Sequence, residues 1–144
     1  MLDEIKALLT AKRKTSTAKQ QRGDAAEALA ESFLIKHGLT VVRRNFSCRF
    51  GEIDLIMQHQ QALIFTEVRY REGGNGLSKS GASAQFGGAL ESISLTKQRK
   101  IIRAAQFYLG TLSSVPECRF DVVLLDKLDI ANVEWIRGAF DVSP

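Results

Sequence analysis

Apolar residues recur at helical spacing in two parts of the chain. The first helix is predicted over residues 24–38, because Asp24 and Glu27 have the spacing of a capping box and a glycine ends the pattern. The second is predicted to begin after Ser94 or Thr96. The apolar positions of this second helix are Ile101, Ile102, Ala105, Phe107 and Leu109. Both helices therefore have one face for burial against another layer.

Shorter segments rich in β-branched and aromatic residues are typical of strands. They cover residues 39–45, 50–58, 62–70, 119–125 and 133–137. Three strands in succession, then a helix, then further strands predict a meander followed by a helical crossover. The predicted fold class is α/β, with a central mixed β-sheet flanked by helices.

The flanking and connecting segments have a different composition. Residues 1–22 are polar and basic and are predicted to form a flexible N-terminal arm. Residues 23–144 then form a single domain, a size large enough to bury a core. Within it, residues 71–94 are rich in Gly and Ser, and the segment is too long for an ordinary connection. We predict a flexible loop there.

Composition narrows the classes of protein and of metal site. The chain has 144 residues, 44% hydrophobic and 25% charged, as expected of a soluble globular domain. No apolar run approaches the ~20 residues that span a bilayer, and no signal peptide is apparent. We therefore expect a cytoplasmic protein without a membrane partner. Two cysteines outside any CxxC and only two histidines argue against a zinc cage.

Basic residues are clustered rather than spread evenly. The net charge is +4, and the residues predicted to contact nucleic acid are Arg43, Arg44, Arg49, Lys97, Arg99 and Lys100. Clusters of this kind near acidic chemistry suit a phosphate backbone. The alternative for each cluster is an ordinary solvated face.

The segment GEIDLIMQHQQALIFTEVRYR places two carboxylates in one hairpin. Strict alternation predicts Asp54 on one face of its strand, with Ile53 and Leu55 on the other. Folding the hairpin about Gln60 and Gln61 sets Asp54 opposite Glu67, with Cβ atoms ~4.5–5.5 Å apart. Such a pair is expected to repel unless a cation lies between the two carboxylates.

Carboxylate oxygens without thiol or imidazole partners favour a hard cation, so we predict Mg²⁺ or Mn²⁺ at Asp54 and Glu67. Glu27, on the first helix, supplies a third carboxylate if that helix packs across the sheet edge. Arg69 lies on the same strand face as Glu67 and is predicted to contact the phosphate. The alternative is cross-strand salt bridging on an exposed face, worth ~0.2–1 kcal/mol per pair.

The same residues resemble the YraN family of bacterial proteins. The similar motifs are Gly51-Glu-Ile-Asp-Leu-Ile56, Phe65-Thr-Glu-Val-Arg-Tyr-Arg71, Arg119-Phe-Asp-Val-Val123 and Ala139-Phe140. The likeness runs from about Gly23 to Phe140. It implies a restriction-endonuclease-like three-layer core similar to Holliday junction resolvases, and relatives of that kind suggest a homodimer. No apolar stripe in this sequence requires one.

The resemblance also implies site residues: a helical Glu, an Asp on the second strand and an acid-x-Lys on the third. These correspond to Glu27, Asp54, and Glu67 with position 69. The lysine is replaced by Arg69, which stays protonated and cannot act as a base. Lys97 or Lys100 on the second helix could substitute, although nothing in the sequence places either at the metal.

The leading functional hypothesis is Mg²⁺-dependent hydrolysis of DNA phosphodiester bonds, with branched or flapped DNA as the substrate. Asp54, Glu67, Arg69 and Glu27 are the candidate catalytic residues, and Asp54, Glu67 and Glu27 the candidate metal ligands. The alternative is a non-catalytic nucleic-acid-binding or adaptor protein that retains the scaffold. A third option is a protein-interaction module that uses the N-terminal arm.

Overall fold

The computed structural model describes residues 17–71 and 93–142. Its elements are α1 (Ala18–Lys36), β1 (Thr40–Cys48), β2 (Gly51–His59), β3 (Ala62–Tyr70), α2 (Leu95–Leu109), β4 (Glu117–Leu125) and β5 (Val133–Phe140), with a 3₁₀ turn at Ile130–Asn132. The predicted helices and strands are all present. Most of the predicted arm and of the predicted 71–94 loop lies outside the described residues. Neither helix of the described chain is long and apolar enough to cross a membrane.

Helix α1 begins seven residues earlier than the sequence pattern predicts, with its N-cap at Thr17 instead of Asp24. Thr17 is the N-cap: its hydroxyl accepts a hydrogen bond from the Gln20 backbone N–H, and the Gln20 side chain accepts one from Thr17 N–H. This reciprocal pair is a capping box. The predicted start at Asp24 is wrong, because the helix continues through Gly23 despite the cost of glycine, about 1 kcal/mol.

The five strands form one mixed sheet in the order β1-β2-β3-β4-β5. Only β3 and β4 run parallel, and α2 is the crossover between them. The β2–β3 hairpin turns at Gln60 and Gln61, and its pairs run from Leu55–Thr66 to His59–Ala62. This register is the predicted one. The α/β class with a central mixed sheet is confirmed.

One helix covers each face of the sheet. Leu55 and Met57 pack with α1, whereas Ile56 between them packs with α2. Because neighbouring residues of a strand point to opposite faces, the two helices lie on opposite sides. The helices bury Ala26, Ala30 and Leu34 from α1, and Ile101, Ala104 and Ala105 from α2. The small residues let the helix backbones approach the sheet closely.

Strand β2 changes its alternation at Asp54. The sequence pattern predicts Ile53 and Leu55 on one face, but Ile53 packs on the α2 side and Leu55 on the α1 side. That prediction is wrong, because the two-residue alternation of β2 breaks between Ile53 and Leu55. Asn45, between the residues that pair with Ile53 and Leu55, has a φ of 50° in the left-handed region. This left-handed residue of β1 thus lies beside the break in the alternation of β2.

Helix α2 begins as predicted at Ser94, whose hydroxyl accepts a hydrogen bond from Lys97 N–H. It ends as predicted at Gly110. One apolar position differs from the prediction, since Phe107 is 45% exposed rather than in the core. The start of β2 packs closely against this helix, because a Cβ at Gly51 would lie 3.0 Å from the Lys100 carbonyl oxygen. Glycine is therefore needed at that close approach.

The buried carboxylate of Asp121 in β4 connects β5 to β4 through hydrogen bonds. Asp121 is completely buried and accepts hydrogen bonds from the Arg119 guanidinium at 2.7 and 2.9 Å. It also accepts from Trp135 Nε1 at 2.9 Å and from Gly138 N–H at 3.0 Å. Gly138 has a φ of 60°, and the strand register shifts beside Asp121. Asp121 therefore acts as a structural hydrogen-bond acceptor between β4 and β5.

Candidate active site

A cleft of about 400 Å³ opens between α1 and the ends of β2 and β3. The residues that define this carboxylate cleft are Lys19, Arg22, Glu27, Asp54, Glu67 and Arg69. Glu27 comes from α1, Asp54 from β2, and the other two candidate catalytic residues from β3. The four residues predicted to be catalytic thus line one cleft.

Asp54 lies at the centre of the carboxyl groups. The main-chain pairing of β2 with β3 ends at Leu55–Thr66, and beyond it Val68 N–H donates to Asp54 Oδ2 at 2.8 Å. The Asp54 carboxyl also shares hydrogen bonds with the carboxyls of Glu67 and Glu27. A hydrogen bond between two carboxyls requires one of them to carry a proton. Opening of the sheet here lets acids from two layers meet.

Burial governs the protonation of all three acids. Burial, with repulsion from Asp54, raises the pKa of Glu67 to about 8 and that of Glu27 to about 7. Burial also raises the pKa of Asp54, although the hydrogen bond from Val68 N–H acts to lower it. For Glu67, burial and the repulsion from Asp54 together outweigh the charges of Lys97 and Arg69, which act to lower the pKa.

Lys97 is a cation that the structure brings to the acids. Its Nζ lies 3.8 Å from Oε1 of Glu67, whose side chain is only 6% exposed. The Lys97 charge lowers the pKa of Glu67, but less than burial raises it. From sequence, Lys97 is grouped with the nucleic-acid contacts and is also a possible substitute for the lysine replaced by Arg69. The structure places Lys97 in the first turn of α2, beside the carboxylates.

Further cations reach the cleft from β3 and α1. Arg69 lines it, and its charge also lowers the pKa of Glu67. Lys19 and Arg22 line it from the first turns of α1. Both fall within the arm predicted from sequence, which is why neither is among the predicted site residues. The pattern Thr17-x-x-Gln20 is a capping-box signal that could have shown that the helix includes them.

Asn45 is a third residue near the site that sequence reasoning misses, after Lys19 and Arg22. Its side chain forms a hydrogen bond with Glu27 that acts to lower the pKa of that carboxyl. Its left-handed backbone accompanies the change of face at Asp54. Asn adopts this conformation more readily than most residues, but an Asn within a strand pattern does not by itself predict it.

The acids fit a hard cation held by two protein carboxylates. In the described residues, no three His, Cys, Asp or Glu side chains are grouped so that they could hold one ion together. The predicted ligand set of Glu27, Asp54 and Glu67 therefore stays a prediction. Mg²⁺ usually keeps several waters and takes one or two carboxylates. Asp54 and Glu67, whose carboxyls contact each other, provide that number.

The residues predicted to bind nucleic acid fall into three places. Arg44 forms an ion pair with Glu31, and Arg43 stacks on Phe46 at 5.0 Å from the ring centroid. Lys97 contacts Glu67. The remaining three, Arg49, Arg99 and Lys100, line a second cleft beside α2. The six residues thus lie at three positions in the structure, and their binding of nucleic acid stays a prediction.

The protonation of Glu67 predicts a pH dependence of stability in metal-free protein. Its folded pKa of about 8 lies above the ordinary value of 4.5. The stabilising contribution is therefore complete below pH 4.5 and is lost as the pH rises through about 8. The free energy of unfolding, measured with urea in chelator, should therefore fall between these two pH values in wild type. In Glu67→Gln this fall should be shallower by up to about 1.4 kcal/mol per pH unit. Parallel wild-type and variant curves would contradict the shift.

Known proteins resemble this chain over most of its length. A family model described as "Uncharacterised protein family UPF0102" matches residues 26–125. The UPF0102 protein of Nitrosospira multiformis is 50% identical over 122 residues, which cover 85% of this chain and 94% of that protein. A UPF0102 protein of Methylobacillus flagellatus is 48% identical over 121 residues, covering 84% of this chain and 97% of the relative.

A more distant relative, from Saccharophagus degradans, is 44% identical over 126 residues, covering 85% of this chain and 95% of the relative. The span matched by the family model contains Glu27, Asp54, Glu67 and Lys97. The chain therefore belongs to the UPF0102 family, which is the YraN family that its motifs resemble.

Proposed function

We propose that this protein is a divalent-metal-dependent nuclease that hydrolyses phosphodiester bonds of DNA at the carboxylate cleft. The observation that carries the proposal is the contact of the half-buried carboxyl of Asp54 with the buried carboxyl of Glu67, with Lys97 Nζ 3.8 Å from Glu67. Exposed cross-strand salt bridging does not account for it, because Glu67 is buried and its carboxyl contacts that of another acid.

Asp54 and Glu67 would hold Mg²⁺ or Mn²⁺. When bound, such an ion supplies positive charge to a phosphate oxygen and makes water a better nucleophile at neutral pH. Asp54 is oriented for this by the hydrogen bond from Val68 N–H, which fixes one of its oxygens. A rigidly held ligand loses little freedom when the ion binds.

Glu27 is proposed to move a proton instead of binding the metal. Its carboxyl lines the same cleft and is half-buried, and its pKa of about 7 lets it take up or release a proton at neutral pH. A general base or acid works best when its pKa is near the working pH. Asn45, through its hydrogen bond, would set the position of that carboxyl.

Lys97 and Arg69 are proposed to share the role of the acid-x-Lys lysine. Arg69 remains charged and can contact phosphate oxygens, while Lys97 contributes an ammonium next to Glu67. The replacement of the strand lysine by Arg69 is then compatible with activity, because a second cation approaches from α2. The restriction-endonuclease-like core of the resemblance belongs to the same proposal.

The decisive assay is cleavage of branched and linear DNA by purified protein with Mn²⁺. We expect cleavage by wild type, with preference for branched substrates, and none by Glu67→Gln. The variant replaces one carboxylate oxygen by an amide nitrogen of the same size, so that folding is preserved while metal affinity falls. Equal cleavage by both proteins would assign the activity to a contaminant.

Substitution of Lys97 should lower the rate of DNA cleavage. Lys97→Gln removes the charge beside Glu67, so that cleavage should fall by about 10²-fold, the range seen when one electrostatic contact to a reacting group is lost. Lys97→Arg keeps the charge and should retain more of the rate. The rates with Mn²⁺ should be measured against pH, using Lys36→Gln as an exposed control. An unchanged rate in Lys97→Gln would remove Lys97 from the proposed site.

The second candidate is a nucleic-acid-binding or adaptor protein without catalysis. It is favoured by the lack, in residues 17–71 and 93–142, of a ready-made group of three metal ligands. Binding of DNA in chelator with no cleavage in Mn²⁺ would support it.

In either case the proposed partner is nucleic acid, DNA before RNA, and the proposed location is the cytoplasm. A homodimer belongs to the resolvase-like proposal only.

A further inference from the structure

A second cleft, of about 290 Å³, lies between the β1–β2 turn and α2. The residues that define this basic cleft are Arg49, Phe50, Thr96, Arg99, Lys100 and Arg103. Four of the six are cations, and no acid from the described part of the chain is among them. Next to the cleft, Gly51 packs closely on the backbone of Lys100.

The cations of the basic cleft are available to a ligand. In residues 17–71 and 93–142, the ion pairs join other residues: Arg44 with Glu31, Lys97 with Glu67, and Arg119 with Asp121. Arg99 and Arg103 are exposed and lie one turn apart on the same side of α2. These four charges have no ion pair with another described residue, and a polyanion would offset the repulsion among them.

Aromatic rings adjoin these cations. The Arg49 guanidinium lies 4.8 Å from the ring centroid of Phe50. Phe50 contacts Phe107, with ring centroids 6.0 Å apart, and Phe107 is 45% exposed although it lies on a helix that otherwise covers the sheet. An exposed guanidinium stacked on a ring offers a flat surface to a planar group.

We propose that the basic cleft binds single-stranded nucleic acid, holding its phosphates with the cations of α2 and stacking a base against the Arg49–Phe50 pair. Grooves that combine positive charge with aromatic faces bind single strands in this way. A duplex would use the charges but not the rings, because its base faces are covered by neighbouring pairs. The combination of features therefore selects a single strand over a duplex.

Single-stranded nucleic acid would be the substrate class of the proposed nuclease. Only the direction in which the bound nucleic-acid strand runs rests on that proposed function. Lys97, in the first turn of α2, contacts the acids, and Lys100 and Arg103 follow on the next turns of the same helix. A strand held along α2 would thus run towards the carboxylate cleft over about 10 Å, at 1.5 Å of helix rise per residue. Flapped or branched DNA contains such a strand.

Binding can be measured without cleavage, by fluorescence anisotropy in chelator. The probes are a labelled short oligothymidylate and a hairpin duplex with the same number of phosphates, each titrated at several salt concentrations. R99Q/R103Q should reduce the slope of log affinity against log salt for the single strand by about 1.4, because each phosphate contact contributes about 0.7. K36Q/K127Q removes the same charge outside both clefts and should leave the slope near that of wild type.

Phe50→Leu tests the stacking separately from the charge. It should weaken binding of the oligothymidylate by at least about fivefold, the lower end of the range for one stacked base. Duplex binding should be nearly unchanged. Folding is checked by the urea midpoint, since leucine keeps the apolar contact with Phe107.

Three results would overturn the inference: no binding of the oligothymidylate by wild type, equal losses in R99Q/R103Q and K36Q/K127Q, or equal losses of single strand and duplex in Phe50→Leu. The last would point to a surface for the duplex backbone. Failure of the proposed nuclease looks different, because single-strand binding in chelator would persist while wild type and Glu67→Gln both fail to cleave in Mn²⁺.

Discussion

Asp54→Asn should abolish the stabilisation of this protein by Mn²⁺ and reduce DNA cleavage by more than the roughly 10–100-fold typical of outer-shell partners of a metal site. In wild type, Mn²⁺ at 100 times its dissociation constant should add about 2.7 kcal/mol to the free energy of unfolding. At ~2–4 °C per kcal/mol for a domain of this size, the midpoint should rise by about 5–11 °C. In the variant it should not move.

The metal-free variant provides the control for folding. The side-chain carbonyl of the introduced asparagine can still accept the hydrogen bond that Val68 N–H donates to Asp54 Oδ2, and the substitution removes a carboxyl that repels both Glu67 and Glu27. Metal-free Asp54→Asn should therefore be at least as stable as wild type at pH 8. If the metal-free variant is less stable than wild type, the role of Asp54 is to stabilise the fold. If its unfolding midpoint still rises with Mn²⁺, the metal binds elsewhere.

Asp121→Ala should be the most destabilising of the substitutions considered, at about 3–5 kcal/mol. Asp121 is completely buried and accepts hydrogen bonds from Arg119, Trp135 and Gly138. Truncation leaves a guanidinium, an indole N–H and a backbone N–H without their acceptor. Since whole domains are stable by ~5–15 kcal/mol, urea unfolding should show a much lower midpoint.

Asp141→Ala is the matched control for this loss. Asp141 is exposed, and its carboxylate accepts a hydrogen bond from the adjacent Val142 N–H. Its removal should change stability by no more than about 0.5 kcal/mol. Similar midpoints for the two variants would mean that the hydrogen bonds of Asp121 contribute little, and that β5 is held by the apolar contacts of Trp135 and its neighbours.

Much of the fold follows from local sequence patterns. Periodicity predicts both helices and five strands, and Ser94 and Gly110 mark the ends of α2 correctly. The start of α1 is different, because two capping boxes compete. Because Gly23 disfavours a helix, the sequence favours the capping box at Asp24 over the one at Thr17. Burial of Ala26, Ala30 and Leu34 stabilises the whole helix, so that it extends back through the glycine to Thr17.

The site is predictable only as far as the hairpin register. The turn at Gln60 and Gln61 brings Asp54 and Glu67 together, and alternation along β3 is regular. Regular alternation along β2 fails at Asp54, beside the left-handed Asn45 of β1, and neither feature has a local signal in the sequence. The contact of Lys97 with Glu67 depends on how α2 crosses the sheet, which sequence spacing does not determine.

One divalent ion between Asp54 and Glu67 is the central claim, and the measurement that tests it most directly is anomalous scattering from a crystal of the protein soaked in Mn²⁺. We predict an anomalous peak bridging the two carboxylates, with metal–oxygen distances of roughly 2.1 Å and Lys97 beside it. No peak at these carboxylates while both side chains are well ordered, or Mn²⁺ bound only at other acids, would contradict the metal site and the nuclease proposal with it.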